Sequence, residues 1–233
     1  MQDDLPLSQR LEKVQQKRGY LLPHHGLLAA SSSSLLDAYD ELYSRLTLTS
    51  RHLSPHNHEF VWLAVLMSKN ENLGTHHVKR FFDAKGTNSQ LAQASAATAF
   101  GVGSQCYVFS SQYWLPHTSD YDPEKAYELG FRELAGDQKL LHLACAATHM
   151  CCGHWAQLGW QIKLAYGDKV NELALIEALS LAMLPAGVPS FAKAAGVWRQ
   201  LILDKKIKAS PELTDWANLA GQGGFDEAAG IAR

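Results

Sequence analysis

Lys79-Arg80-Phe81-Phe82-Asp83-Ala84-Lys85-Gly86 and Gln161-Ile162-Lys163-Leu164-Ala165-Tyr166-Gly167 are two helical stretches, each running into a glycine that reads as a helix stop. Each is followed by an apolar helix led by asparagine, Asn88-Ser89-Gln90-Leu91-Ala92 in the first case and Asn171-Glu172-Leu173-Ala174 in the second. A repeat of roughly 80 residues is too long for a solenoid unit and predicts a duplicated helical bundle.

The surrounding sequence follows the same order. Ser54-Pro55 is an N-cap with proline at the first helical position. The helix it opens carries Glu59, Trp62, Leu63, Leu66 and Met67, and a second runs from about Thr75 to Lys85. A third, rich in alanine from Leu91 to Ala99, stays apolar to Phe109. After a polar linker, His117 to Asp122, Asp122-Pro123-Glu124 opens another helix. The pattern then returns, with Gln138–Thr148 as an apolar helix, Cys151–Tyr166 as a helix closed by Gly167, and Asn171–Leu184 as an apolar helix. Pro185-Ala186-Gly187-Val188-Pro189 breaks the last of these, and helices from Phe191 to Leu203 and around Glu212 to Leu219 follow. Upstream, Leu7–Arg18 is a short charged helix, and the serine run Ser31–Ser34 caps a helix carrying Leu35, Leu36, Tyr39, Leu42, Tyr43 and Leu46. Arg18 to His25 reads as irregular, and the tail from Gly221-Gln222-Gly223-Gly224 onward as frayed. No stretch has a strand pattern. The expected organisation is all-α, with a lead-in over 1–53, repeats over 54–116 and 137–204, a linker and helix over 117–136, and a C-terminal helix and tail over 205–233.

The chain has 233 residues, 46% hydrophobic, enough for a substantial core. A net charge of -2 without a basic stripe argues against a nucleic-acid partner. Only 19% of residues are charged, so helices with so little charge are expected to bury a second face in a homo-oligomer. No segment reaches the roughly 18 apolar residues of a membrane span. The first residues lack the basic and apolar regions of a secretory leader. Cys106, Cys145, Cys151 and Cys152 are unevenly spaced, unlike a disulfide framework, which points to a reducing cytoplasm.

Thr148-His149-Met150-Cys151-Cys152-Gly153-His154 concentrates two thiols and two imidazoles. Adjacent cysteines on a helix point about 100° apart, which disfavours a resolving pair. His154, one turn from Cys151, would favour its thiolate, and a helix beginning at Cys151 would add its N-terminal dipole. Small apolar core residues are the alternative for these cysteines. A metal held by His149, Cys151 or Cys152, and His154 stays open as another. Glu59 lies on the apolar face of its helix with Leu63 and Leu66, so it needs a partner such as Lys79 or Arg80, or a role as acid or base. One of His76 and His77 is expected to face the core. His24, His25, His52, His56 and His58 read as surface or capping residues.

These residues resemble the alkylhydroperoxidase AhpD-like and carboxymuconolactone decarboxylase superfamily. The family unit is a Glu, then about a dozen residues to a Cys-x-x-Cys-x-x-x-His segment or a cysteine-free variant, then a Gly and an alanine-rich helix. The likeness covers roughly 54–113 and 137–203. It implies a bundle of two repeats about a pseudo-twofold. Glu59 matches the family's acid, while Glu71, Gly74 and Val78 stand at the remaining motif positions, with His76 and His77 alongside. In the second half Lys139 or Leu140 falls at the acid position and His142 one turn further. Pro185–Pro189 looks like the decarboxylase branch. The resemblance implies an enzyme acting on a small molecule by acid/base or single-thiol chemistry. Glu59, Cys151, His154, His77 and His142 are its candidate residues, and no cofactor is needed. A catalytically reduced binding or assembly protein, and an alkylhydroperoxidase, are the alternatives.

Overall fold

The computed structural model describes residues 5–224, 227 and 229–231; the start of the chain and part of the glycine-led tail lie outside these. Every regular element among the described residues is helical. The chain divides into two compact units, Met1–Ser50 and Arg51–Arg233.

The first unit holds α1 (Leu7–Arg18), α2 (Pro23–Ser31) and α3 (Ser33–Tyr43), the last running into a π-helical turn at Ser44–Leu48. Val14, Ala29 and Leu36 form its small core. The segment expected to be irregular contains α2, because Pro23 sits at the first helical position and His25 Nδ1 accepts the Leu22 N–H at 3.1 Å. His25 therefore caps, but from a fully buried position rather than the surface.

The second unit holds α4 (Pro55–Lys69), α5 (His76–Asp83), α6 (Asn88–Gly103), α7 (Gln105–Tyr113), α8 (Pro123–Arg132), α9 (Gln138–Cys152), α10 (Trp155–Gly167), α11 (Glu172–Leu181), α12 (Met183–Ala186), α13 (Val188–Leu203) and α14 (Pro211–Asn218). α9 is the axis of the unit. Every residue from Leu140 to Cys151 is buried, and the helix packs on α4, α6, α10 and α11. A helix apolar on all sides has to be wrapped in this way.

α9 does not stop near Thr148. No glycine or proline interrupts it before Gly153, which takes the left-handed conformation at φ 70° and ends it. Cys151 and Cys152 are thus in the last turn of α9, and His154 is the N-cap position of α10.

The two stretches that set the sequence pattern do share geometry, in a different register. α4 and α9 are both 15 residues long and both end on a left-handed residue, Asn70 and Gly153. After α5 and α10 the left-handed position is a lysine each time, Lys85 at φ 69° and Lys169 at φ 55°. The next residue donates back into the helix in both, Gly86 N to Phe81 O and Val170 N to Ala165 O at 2.9 Å. The side chains of Thr87 and Asn171 then cap α6 and α11. Gly86 and Gly167 are therefore not equivalent stops. Gly86 is small because a Cβ there would lie 2.4 Å from the Phe81 ring, whereas Gly167 is the last residue of α10 with open space around it. No helix of the described residues is long and apolar enough to cross a membrane.

Candidate functional site

Glu59 is the fifth residue of α4 and only 2% exposed. Two residues one turn apart on α5 reach it. His77 Nδ1 lies 2.7 Å from Oε2, and Arg80 Nε donates to Oε1 at 2.6 Å. Burial alone would raise the Glu59 carboxyl, but the bonds from His77 and Arg80 outweigh it and hold the group below its usual value. Burial depresses His77 despite the opposing pull of Glu59. The pair is accordingly a neutral imidazole donating to a carboxylate, with Nε2 left as the nitrogen for any incoming proton. The His77 ring stacks on Trp62, with centroids 4.2 Å apart and planes 13° from parallel. Trp62 Nε1 is buried without an acceptor. A cavity of about 280 Å³ opens beside this cluster, between the end of α4 and the start of α5, with Leu63, Leu66, Val78 and Glu71 in its wall. Neither Glu59 nor His77 lines it.

His142 is the fifth residue of α9, as Glu59 is of α4. Lys139 and Leu140 are the second and third residues of the same helix. The partner of His142 also comes from the following helix, with Gln161 Nε2 2.5 Å from His142 Nδ1. The rest of the neighbourhood differs. His142 Nε2 lies 2.7 Å from Asp168 Oδ2, and Asp168 pairs with Arg132. Tyr127 donates to Gln161 Oε1 at 2.5 Å, and His149 Nε2 lies 2.6 Å from the Tyr127 hydroxyl. Both nitrogens of His142 are occupied, so it has no lone pair to offer a substrate.

The thiols are poorly placed for nucleophilic work. Burial pushes Cys151 up to about 11 against a hydrogen bond from Ser68 and the nearby Lys69 ammonium, and burial also raises Cys152. Cys151 stands at the C-terminal end of α9, where the helix dipole disfavours a thiolate, the reverse of the expected N-terminal placement. His154 belongs to the next helix, and its Nδ1 is 3.2 Å from the Gly101 carbonyl. The i, i+3 pairing of Cys151 with His154 does not form, because Gly153 turns the chain between them. Cys145 is fully buried and its thiol faces the Ala97 carbonyl at 3.6 Å. Among the described residues, no three His, Cys, Asp or Glu side chains are grouped to hold a metal ion.

One buried ionic centre escaped the sequence reading. Glu177, in the middle of α11, is 1% exposed and accepts from the backbone N–H groups of Arg51 at 3.0 Å, His52, and Leu53 at 2.9 Å. His58 Nδ1 adds a contact at 3.2 Å, so His58 is a fully buried partner and not a surface residue. These donors overcome the burial that would raise Glu177 and bring it down to about 2. The carboxylate fastens the segment entering α4. The available signal was a Glu within the apolar run Leu173–Leu181, the same signal that singled out Glu59.

Compared with protein-family models, with curated proteins and with solved structures, the chain gives no match.

Proposed function

We propose that this chain is a duplicated AhpD-like protein of the carboxymuconolactone decarboxylase branch, acting on a small carboxylate-bearing molecule through Glu59 and His77. The observation that carries this reading is the buried Glu59 carboxylate held between His77 and Arg80, with the unpartnered Trp62 N–H against the imidazole. Glu59 fixes the ring orientation and tautomer of His77, which leaves Nε2 as the acid or base. Trp62 Nε1 and the part-exposed Arg80 supply donors for an oxygen that gathers negative charge. In a decarboxylation the C–C bond breaks, carbon dioxide leaves, and the electron pair passes into a neighbouring carbonyl before the carbon takes a proton. His77 Nε2, bare at rest, is assigned to take that proton from solvent and pass it to the carbon. No thiol or cofactor enters these steps. The raised thiols support this branch over an alkylhydroperoxidase. The matched helix lengths, left-handed ends and fifth-residue polar pairs support the duplication. The homo-oligomer and the reducing compartment belong to the same reading.

One observation favours a second reading, a catalytically reduced binding protein: His77 is 1% exposed and does not line the neighbouring cavity. Incubation with carboxymuconolactone, followed by its ultraviolet absorbance, separates the two. Turnover that survives Cys151→Ser but not Glu59→Gln or His77→Ala supports the enzyme. A folded wild type that neither turns the lactone over nor shifts the His77 resonances on adding it overturns the enzyme reading.

A further inference from the structure

The polar chain through the second half ends on an atom that the proposed chemistry does not use. Its hydrogens follow one from another. Asp168 is held below the usual carboxylate range by Arg132, so His142 Nε2 is the donor between them. His142 is kept neutral by burial, so its Nδ1 accepts, and the Gln161 amide nitrogen fills it. That orients Gln161 with Oε1 toward the Tyr127 hydroxyl, which donates to it. The Tyr127 oxygen then accepts from His149 Nε2–H. His149, neutral because burial lowers it to about 3, is left with a bare lone pair on Nδ1.

That nitrogen is buried without a partner, and so are Thr148 Oγ1 beside it in sequence and Gln157 Nε2 in the first turn of α10. Thr148 is unusual for a buried helical threonine. Thr98, in α6, donates back to the Ala94 carbonyl at 2.8 Å, whereas the Thr148 hydroxyl makes no such bond. The Thr148 side chain and the His149 ring both lie against Gly101. A Cβ there would be 2.7 Å from Thr148 Cγ2 and 3.8 Å from His149 Cε1. The same glycine's carbonyl holds His154, whose ring centre is 6.1 Å from that of His149.

We propose that residues 148–157, closed against Gly101, bind one water-sized, uncharged molecule that donates a hydrogen bond to His149 Nδ1. A bare lone pair repels an anion. An open amide donor and a hydroxyl in the same stretch do not suit a metal ion, and two imidazoles without a third ligand make a poor metal site. His149 Nδ1 needs a donor and the Gln157 amide an acceptor, and buried polar groups of this kind are filled by a small guest that can both donate and accept.

The test uses the full chain with ¹⁵N-labelled histidine near neutral pH. Long-range ¹H–¹⁵N spectra should show His142 and His149 both as the Nε2–H tautomer, and a water-selective experiment should give a cross-peak from long-lived water to His149 Hε1. Thr148→Val should weaken that cross-peak, and Tyr127→Phe should let the Nδ1–H tautomer of His149 appear. An Nδ1–H tautomer in the wild type, the absence of the water cross-peak, or stoichiometric displacement of the His149 signals by Zn²⁺ or Cu⁺ would each overturn the proposal. The wild-type spectra decide the matter even if a variant fails to fold.

Discussion

The pair Glu59–His77 and the pair His142–Gln161 occupy the same places in their helices yet have opposite chemical characters. In the first, a charged carboxylate holds an imidazole by one nitrogen and a part-exposed arginine by its other oxygen. In the second, the imidazole has taken the carboxylate's place, an amide has taken the imidazole's, and every lone pair along His142 and Gln161 that could meet a substrate is spent within the protein. In the proposed reading, what separates the two pairs chemically is whether the partner leaves an imidazole nitrogen free.

The largest test of this contrast is in activity. Glu59→Gln keeps the size of the side chain but removes the charge that orients His77, and should reduce turnover by about 10²–10⁴-fold, the usual weight of a positioned acid or base. His142→Gln should leave kcat within a few-fold. Equal losses in the two variants would show that the halves act together.

Stability should rank them the other way. His142→Leu leaves the buried Gln161 amide without its acceptor, while the part-exposed Asp168 keeps Arg132. At about 1–3 kcal/mol for an unsatisfied buried group, denaturant titration should show a loss of that size. A change below about 1 kcal/mol would mean that water replaces the imidazole and that the chain of bonds is not closed.

Acid should weaken the fold through Glu177. Its folded value, about 2, lies below the ordinary value of 4.5. A depressed carboxyl stabilises the fold fully above its unfolded value and loses that contribution as pH falls toward the folded one. The window is therefore about pH 4.5 down to 2, and the shift corresponds to up to ~3 kcal/mol. Glu177→Gln should flatten the stability–pH curve in that window. An unchanged curve would place the acid sensitivity elsewhere.

Much of this architecture was legible because helix starts are written in single residues. Ser54-Pro55 and Asp122-Pro123 open helices where the sequence places them, whereas the expected Pro185–Pro189 break is displaced: α11 already ends at Leu181, Pro185 lies inside the short α12, and Gly187 separates that from α13, which holds Pro189 in its first turn. The ends were harder, since any left-handed residue can close a helix, and the lysines at 85 and 169 carry no composition signal. That same ambiguity misplaced the thiol cluster. With a helix assumed to begin at Cys151 the dipole favours a thiolate, and with α9 ending just after it the dipole opposes one. Glu59 was legible because a carboxylate on an apolar face demands a partner. Tyr127, Gln161 and Asp168 were not, because their link to His142 and His149 exists only after α8, α9 and α10 have packed. The thiol correction is checked by mild alkylation near neutral pH with peptide mapping. Exposed Cys106 should label first and Cys151 slowly, and His154→Ala should leave the Cys151 rate unchanged.

The smallest effects address the register of the two halves. If Gly86 and Gly167 were equivalent stops, replacing either with alanine should do the same harm. The structure predicts opposite signs. A Cβ at Gly86 meets the Phe81 ring at 2.4 Å, and that ring is itself fully buried, so Gly86→Ala should destabilise by about 1–3 kcal/mol as an overpacked site. Gly167 closes α10 with no atom near the new methyl, so Gly167→Ala should gain up to about 1 kcal/mol of helix propensity. In the proposed duplication the matched positions are Lys85 and Lys169, a helix end that Lys205 also makes after α13. A left-handed lysine costs roughly 1–2 kcal/mol, and glycine returns most of that as unfolded-state entropy, so Lys85→Gly and Lys169→Gly should each shift stability by less than about 1 kcal/mol. The two shifts should agree in sign and size. Thermal unfolding of the four variants reads all of this at once, and a Lys85–Lys169 disagreement larger than the Gly86–Gly167 one would return the register to the glycines.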